Sequence, residues 1–269
     1  MTDQTVLVTE TTTSADGTPI AFERVGAGPA VVLVDGALCH RAFGPSRPLA
    51  AALADRYTVF VYDRRGRGES GNTLPYSPQR EIDDLQAVIA AAGGDAYVYG
   101  SSSGAGIALE AAAAGVRMRR LATYEAPYVA ARWKDPSVDH LAHMESLIAA
   151  DKRGAAVSYF LVPMVGAPAF VPVMMRAMPK VWNQMKAAAP TLPYDLRVMG
   201  SFTVPTERFE SIAVPTLVMV GGKSPRPMRD AQDTIAAAIP GSQFAVLDGQ
   251  THQVSEKAIA PQLQAFFTD

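Results

Sequence analysis

Short apolar runs alternate with amphipathic segments through most of this chain. Residues 30–34, 57–62 and 96–99 form apolar runs of strand length, which predict buried strands. Between the second and third runs, residues 78–92 place apolar side chains on one face at helical spacing, and Gly93-Gly94 ends the segment. Alternating β and α elements predict a mostly parallel sheet with helices on both faces.

The two ends of the chain extend the same pattern. Near the start, residues 5–12 and 19–24 read as strands joined by the hairpin turn Asp16-Gly17. Near the end, predicted strands at 216–220 and 243–247 alternate with a helix near 230–238 and a last helix at 254–267. A helix at 48–54 and a strand at 121–124 complete the predicted sheet and its flanking layers.

The alternation lapses between about residues 127 and 210, a stretch rich in Met, Ala and Pro. Helices are predicted at 138–149, with Ser137 as N-cap, and at 173–189, where Pro179 should kink or split the helix. We therefore predict a core domain formed by residues 1–126 and 211–269, and a helical cap at 127–210. The cap should lie over the carboxyl edge of the sheet, where open α/β sheets bind ligands.

Composition narrows the class of protein. The chain has 269 residues, 48% hydrophobic and 19% charged, as is usual for a soluble globular protein, and its net charge of −2 argues against a nucleic-acid or membrane-surface binder. The start carries no secretory signal pattern, and the single Cys39 permits no internal disulfide, so a cytoplasmic location is expected. The composition is compatible with a homodimer. Two basic clusters are expected to be solvated surface: Arg64, Arg65, Arg67 and Arg117, Arg119, Arg120.

The sequence Gly-Ser-Ser-Ser-Gly at residues 100–104 is the strongest functional signal. It follows a predicted strand and precedes a small-residue helical segment, and strand, Gly-x-Ser-x-Gly, helix is the context of a nucleophile elbow. Glycines permit the sharp turn that exposes the central Ser102. Ser101 and Ser103 are expected to support it. A serine hydroxyl is a poor nucleophile at neutral pH, so a base and an acid are needed elsewhere.

Three further motifs stand in order around the elbow. They are Val32-Leu33-Val34-Asp35-Gly36, the turn Asp63-Arg64-Arg65-Gly66-Arg67-Gly68-Glu69-Ser70, and Gly249-Gln250-Thr251-His252. With the elbow, they resemble the α/β-hydrolase family over nearly the whole chain outside the insertion. Asp35 stands where that family usually has histidine. The resemblance implies an α/β-hydrolase fold, with a mostly parallel sheet flanked by helices and a helical cap.

The resemblance leaves the acid of the triad to be found. The family's common acid is an Asp after the strand at 216–220, and Ser224 stands there instead. Glu125, one strand after the elbow, is the predicted replacement, a position similar to that in zearalenone-type lactonases. Its alternative role is an ion pair with an arginine of the cap. Asp230 is the second candidate, although Asp is also a good helix cap, and Asp248 is expected to shape a turn.

The same resemblance implies the base and the oxyanion hole of the site. His252 is the predicted base. The oxyanion hole should use the N–H of Ser103 and one N–H from the loop after the 30–34 strand, that of Gly36 or Ala37. The effect of Asp35 on the local charge is open. His40 is expected either to contact substrate or to lie on the surface.

No cofactor or metal is expected. Gly66, Gly68 and Gly71 satisfy the dinucleotide pattern Gly-x-Gly-x-x-Gly, but no helix opens directly after them. His140 and His143 lack a third ligand.

The expected reaction is hydrolysis of an apolar carboxylic ester or lactone by a Ser-His-Glu triad through an acyl-enzyme. Five apolar side chains of the insertion are candidates to line the substrate site, or else to pack the cap against the body: Met164, Phe170, Met174, Met178 and Trp182. Two alternatives stay open. In the first, the protein performs another reaction of the same scaffold: C–C hydrolysis, perhydrolysis or cyclisation. In the second, it is a non-catalytic binding protein, which the absence of an Asp at position 224 favours.

Overall fold

The computed structural model describes residues 8–129 and 137–268 and contains an eight-stranded sheet in the order β1-β2-β4-β3-β5-β6-β7-β8. β1 and β2 are antiparallel to their neighbours, and the other strands run parallel. The strands are β1 Glu10–Thr13, β2 Pro19–Val25, β3 Ala30–Val34, β4 Thr58–Tyr62, β5 Ala96–Ser101, β6 Leu121–Tyr124, β7 Thr216–Gly221 and β8 Gln243–Leu247.

Helices cover both faces of the sheet, as the alternation predicted. On one face lie α2 (Pro78–Ala91), α3 (Ser103–Ala113) and α10 (Arg226–Ala238), and on the other lie α1 (Ser46–Leu53) and α11 (Glu256–Phe266). The central strands are buried on both sides, which explains why their sequences are uninterrupted apolar runs rather than alternating ones.

In the described part of the chain, six α-helices lie between β6 and β7, and we call the segment that carries them the helical insertion. They are α4 His140–Ala149, α5 Arg153–Tyr159, α6 Val171–Arg176, α7 Pro179–Ala188, α8 Leu192–Met199 and α9 Thr206–Phe209. α5 continues into a π-helical turn, Phe160–Met164. The predicted break at Pro179 is confirmed, because this proline begins α7. The N-cap of α4 is Asp139 rather than Ser137, and its carboxylate accepts from the Ala142 N–H at 2.9 Å.

The solvated surface predicted for Arg64, Arg65 and Arg67 is wrong. All three side chains are buried, because each is held by carboxylates from distant parts of the chain: Glu81 and Asp195 for Arg64, Asp16 and Asp84 for Arg65, and Asp195 for Arg67. In the second cluster Arg117 is exposed, whereas Arg119 and Arg120 are half-buried over the rings of Tyr97 and Phe266.

Several element boundaries also differ from the predictions. β1 begins at Glu10 rather than residue 5, and residues 5–7 of the predicted strand lie outside the described residues. α1 begins at Ser46, two residues before the predicted start. α10 begins at Arg226, so Asp230 lies inside the helix and does not cap it. Within residues 8–129 and 137–268, no helix is both long and apolar enough to cross a membrane.

Candidate active site

The elbow holds Ser102 in a strained backbone conformation between β5 and α3. Its φ is 55° and its ψ is −129°, a region that residues with a side chain rarely occupy and that is found mainly at functional sites. The flanking glycines are required sterically. A Cβ on Gly100 would come within 2.6 Å of the Gly104 carbonyl oxygen, and one on Gly104 within 2.2 Å of the Val34 carbonyl oxygen. The turn leaves the Ser102 side chain partly exposed at the carboxyl edge of the sheet.

A continuous hydrogen-bond chain runs from this serine to a buried carboxylate. Ser102 Oγ lies 3.1 Å from His252 Nε2, and His252 Nδ1 lies 2.7 Å from Glu125 Oε2. Glu125 is fully buried, whereas the His252 side chain is 40% exposed. The structure therefore brings together the predicted nucleophile, base and acid. Asp230, the second candidate for the acid, is exposed and pairs with Arg226 at 3.4 Å.

Glu125 is held by more than the histidine. It has a positive φ of 51° in the turn that follows β6, and its Oε1 accepts from the Gly221 N–H at 2.8 Å and from the Ser224 hydroxyl at 2.5 Å. Burial alone would raise the pKa of Glu125, but the hydrogen bonds from His252, Ser224 and Gly221 outweigh burial and hold that pKa below its ordinary value. Ser224 thus contacts the acid from the position where the family usually places its Asp.

The loop that carries His252 is hydrogen-bonded to the end of β6 and to the turn that follows β7. The Tyr124 hydroxyl donates to the Thr251 carbonyl at 2.5 Å, and the Lys223 N–H donates to the Gln250 carbonyl at 2.9 Å. A Cβ on Gly221 would come within 2.6 Å of the Gln250 carbonyl oxygen, so the loop packs directly on the end of β7. These contacts position the imidazole without burying it.

The loop after β3 faces the nucleophile. A Cβ on Gly36 would lie 2.9 Å from Ser102 Cβ and 3.4 Å from its Oγ. Ser103 begins α3, where the first N–H groups of a helix have no partner within the helix. Neither the Ser103 N–H nor the Ala37 N–H has an acceptor in the described parts of the chain. That these two amides bind the oxyanion stays a prediction.

A buried set of charges, not anticipated from the sequence, underlies these amides. Asp195 of α8 accepts from Arg64 at 2.7 Å, from Arg67 at 2.6 Å and from the Ser103 hydroxyl at 2.7 Å. Burial raises the pKa of Asp195, but the two guanidinium groups outweigh burial and leave that pKa lowered. The only sequence signal was the unusual run of arginines at residues 64–67.

The Asp35 carboxylate contacts the start of α1. One of its carboxylate oxygens accepts from the Ser46 hydroxyl at 2.7 Å, and the other, Oδ2, has no hydrogen-bond partner among the described residues. Burial raises the pKa of Asp35 to about 6, despite the opposing effects of Ser46, Arg67 and Arg64. His40 is buried beside the same loop, with Nε2 3.1 Å from the amide oxygen of Gln184, so the surface placement considered for it is wrong.

The five predicted substrate-lining residues do not form one group. Met164 and Trp182 are buried in the apolar core of the helical insertion, whereas Phe170, Met174 and Met178 are exposed, by 64%, 52% and 42%. A cavity of about 440 Å³ lies between α4, α5 and α6, and none of the triad residues lines it. The contact of these five residues with substrate remains a prediction.

The described residues contain no cluster of three or more His, Cys, Asp or Glu side chains that could hold a metal ion. His140 Nδ1 lies 2.6 Å from the Tyr159 hydroxyl, and the His143 ring packs against the Tyr159 ring. The dinucleotide pattern at residues 66–71 is followed by an irregular segment, and α2 begins only at Pro78.

Residues 26–263 match the family model described as the alpha/beta hydrolase family, and the chain belongs to this family. Its fold and the order of its motifs agree with that membership. The particular similarity to zearalenone-type lactonases stays a prediction.

The chain is also similar to individual proteins of known structure or sequence. An alpha/beta hydrolase from Sphaerobacter thermophilus is 50% identical, with a TM-score of 0.90 over 96% of this chain and 100% of that one. An enol-lactonase from Burkholderia xenovorans is 20% identical, with a TM-score of 0.71 over 96% and 100% of the chains, and shows the fold alone. The uncharacterized hydrolase YraK of Bacillus subtilis is 36% identical over 106 residues, so the match spans only 37% of each chain.

Proposed function

We propose that this protein hydrolyses a carboxylic ester or lactone through an acyl-enzyme on Ser102. The observation that carries the proposal is the unbroken chain from Ser102 Oγ through the two nitrogens of His252 to Glu125, at 3.1 and 2.7 Å. Nucleophile, base and a buried orienting carboxylate at hydrogen-bond distance are the parts that acyl transfer requires.

In the first half of the reaction, Ser102 Oγ attacks the carbonyl carbon while His252 Nε2 takes its proton. The carbonyl oxygen becomes an oxyanion, which the N–H groups of Ser103 and the Gly36–Ala37 loop stabilise. When the tetrahedral intermediate collapses, the C–O bond to the leaving alcohol breaks and His252 returns the proton to that alcohol. A lactone would leave its alcohol attached to the acyl group.

In the second half, water replaces the alcohol. His252 takes a proton from the water, whose oxygen attacks the acyl carbon to form a second tetrahedral intermediate. When this intermediate collapses, the bond between the acyl carbon and Ser102 Oγ breaks, the carboxylic acid leaves, and the protonated histidine returns the proton to Oγ. Glu125 keeps the Nδ1–H tautomer in place and stabilises the imidazolium in both halves. The three hydrogen bonds that keep Glu125 ionised suit it to this role.

We also propose that the helical insertion acts as the cap of this site. The insertion follows β6 and Glu125 in the chain, and Leu38 of the loop after β3 packs in the apolar core of the insertion. A cap rich in Met and aromatic side chains favours an apolar substrate. Because the acid follows β6, as in the lactonases that the sequence resembles, lactones are the substrates to test after simple esters.

The test is hydrolysis of p-nitrophenyl acetate and butyrate by the wild type and by Ser102→Ala. The wild type should turn over both esters, and Ser102→Ala should lose at least about 10³-fold in kcat, because the covalent step is removed. A fluorophosphonate should label the wild type at Ser102 and leave the variant unlabelled. Absence of both ester turnover and labelling in the wild type would contradict the proposal and favour a non-catalytic binding protein.

A further inference from the structure

A buried cluster of charges lies behind the two candidate oxyanion donors. We call Arg64, Arg67, Glu81 and Asp195 the arginine cluster. Their side chains are at most 4% exposed, and Arg64 bridges Glu81 and Asp195 at 2.8 and 2.7 Å. Such a cluster is costly to bury, so it is weak evidence for stability alone. Its outward contacts suggest what else it does.

Arg67 reaches from this cluster to the loop that faces Ser102. One guanidinium nitrogen donates to the Gly36 carbonyl at 2.6 Å, and the Nε–H donates to the Thr191 hydroxyl at 2.9 Å. The remaining nitrogen binds Asp195 Oδ2 at 2.6 Å. Every arm of the planar guanidinium is occupied, so its position relative to α8 and the preceding turn is fixed.

The bond to the Gly36 carbonyl has a consequence for the next amide. In a trans peptide the carbonyl and the following N–H point in opposite directions, so drawing the Gly36 C=O toward Arg67 turns the Ala37 N–H away from it. A cationic donor also polarises the peptide, which makes the Ala37 N–H a stronger donor. The bond from Arg67 therefore fixes the orientation of the Gly36–Ala37 peptide, with the Ala37 N–H pointing away from the guanidinium.

We propose that Arg67, held by Thr191 and Asp195 of the helical insertion, is a positioning residue that aims the Ala37 N–H at the substrate oxyanion. The inference rests on the proposed function and deepens it: it selects Ala37 among the loop donors and makes the insertion part of the catalytic apparatus.

The second donor is anchored to the same carboxylate. The Ser103 hydroxyl donates to Asp195 Oδ1 at 2.7 Å and accepts from Arg64 at 3.2 Å, and the Ser103 N–H belongs to the residue so held. Asp195 therefore connects to both amides of the oxyanion hole, one through Arg67 and one through Ser103. Movement of α8 would disturb both donors together.

The test compares Arg67→Lys with Arg65→Lys. Arg65 is the matched control because it is in the same turn, is fully buried and binds Asp84 through two bonds of 2.7 Å, but does not contact the loop after β3. Arg67→Lys should lower kcat for p-nitrophenyl butyrate at least tenfold, with KM within threefold of wild type. Removing one oxyanion donor costs about 10²–10³ in kcat, and lysine should misplace the donor rather than remove it. Arg65→Lys should keep wild-type kcat.

The rate at which a fluorophosphonate labels Ser102 is a second measurement, and it does not require turnover of an ester. A fluorophosphonate forms a bond to Ser102 Oγ, loses fluoride and places its phosphoryl oxygen in the oxyanion hole, so its labelling rate should fall in parallel with kcat in Arg67→Lys. Equal kcat and labelling in the two lysine variants would overturn the positioning role while leaving the proposed function intact. No labelling of the wild type would overturn both.

A milder pair of variants covers the case in which Arg67→Lys does not fold. Thr191→Val removes the acceptor for the Arg67 Nε–H and should lower kcat and the labelling rate about threefold to tenfold. Thr216→Val is its control, since Thr216 is a buried threonine at the start of β7 whose hydroxyl, within the described residues, donates to the Val214 carbonyl and contacts no residue of the arginine cluster. Kinetics of Thr191→Val within twofold of those of Thr216→Val would overturn the proposal.

Discussion

Asp35 and Glu125 follow β3 and β6, the two strands that flank β5 and its Ser102, yet their carboxylates behave in opposite ways. Both are buried, at 3% and 0% exposure. Glu125 accepts hydrogen bonds from His252, Ser224 and Gly221, and its pKa is lowered. Among the described residues, the Asp35 carboxylate accepts one hydrogen bond, from Ser46, and burial raises the pKa of Asp35 to about 6.

The difference shows that burial does not decide whether a carboxylate remains ionised. Burial removes water from both groups and penalises the charged form of both. Three donors replace that water at Glu125, whereas Asp35 Oδ2 has no partner in the described structure. Glu125 therefore stays ionised beside His252 well below neutral pH, whereas the ionised form of Asp35 carries an electrostatic cost that no hydrogen bond to Oδ2 offsets.

Of the variants that test this comparison, a change of Glu125 should have the largest effect on kcat. Glu125→Gln keeps the shape of the side chain but removes its charge, and its amide can present an N–H to His252 Nδ1 and so favour the wrong tautomer. We expect kcat for p-nitrophenyl butyrate to fall by on the order of 10³–10⁴-fold. Asp230→Asn, a change of the exposed second candidate, should leave kcat within twofold of wild type; a large loss there would reassign the acid.

We expect the raised pKa of Asp35 to affect the free energy of unfolding rather than kcat. The folded-state pKa of Asp35 is about 6 and its ordinary value is 3.8, so between these pH values the folded state binds more protons than the unfolded state. The free energy of unfolding therefore loses this contribution as pH rises through that window, and the cost is complete above about pH 6. It amounts to at most about 3 kcal/mol.

Asp35→Asn should remove that cost. Urea unfolding should show the variant to be about 1–3 kcal/mol more stable than wild type at pH 8, with no gain at pH 4. Ser46→Ala, which removes the hydroxyl that binds Asp35, should be less stable than wild type at pH 8. A gain for Asp35→Asn that is the same at both pH values would contradict the assigned titration.

Much of the fold was predictable from the sequence because its signals are local. Buried parallel strands appear as apolar runs, and the elbow appears as a five-residue motif between a strand and a helix. The break at Pro179 followed from the missing N–H and the ring of proline. The errors at β1, α1 and α10 are shifts of a few residues at element ends, where local preferences are weakest.

The arginine cluster was not predictable for a physical reason. A run of arginines in a sequence is typical of solvated surface, and burial becomes favourable only when carboxylates compensate the charge. Asp195 stands 128 residues from Arg67 in the chain, inside an insertion with no regular pattern. Glu125 could be proposed from its place at the end of the strand after the elbow together with the family resemblance. Its hydrogen bond with Ser224 could not, because it requires the turns after β6 and β7 to meet in space.

The smallest predicted effect on kcat comes from removing one of the hydrogen-bond donors to Glu125, the Ser224 hydroxyl. Ser224→Ala deletes the hydroxyl that binds Glu125 Oε1 and leaves the Gly221 N–H and His252 in place. Because a hydrogen bond to a charged group contributes about 1.5–3 kcal/mol, part of which supports the triad, we expect kcat to fall about threefold to tenfold.

Two further variants separate this role from simple packing. Ser224→Thr retains the hydroxyl and should retain most of the activity. In a Glu125→Gln background, Ser224→Ala should have no further effect on kcat, because the charge that the hydroxyl stabilises is gone. If Ser224→Ala reduces kcat by the same factor in both backgrounds, Ser224 acts independently of Glu125, and the contrast between the two buried carboxylates would rest on the Gly221 N–H and His252 alone.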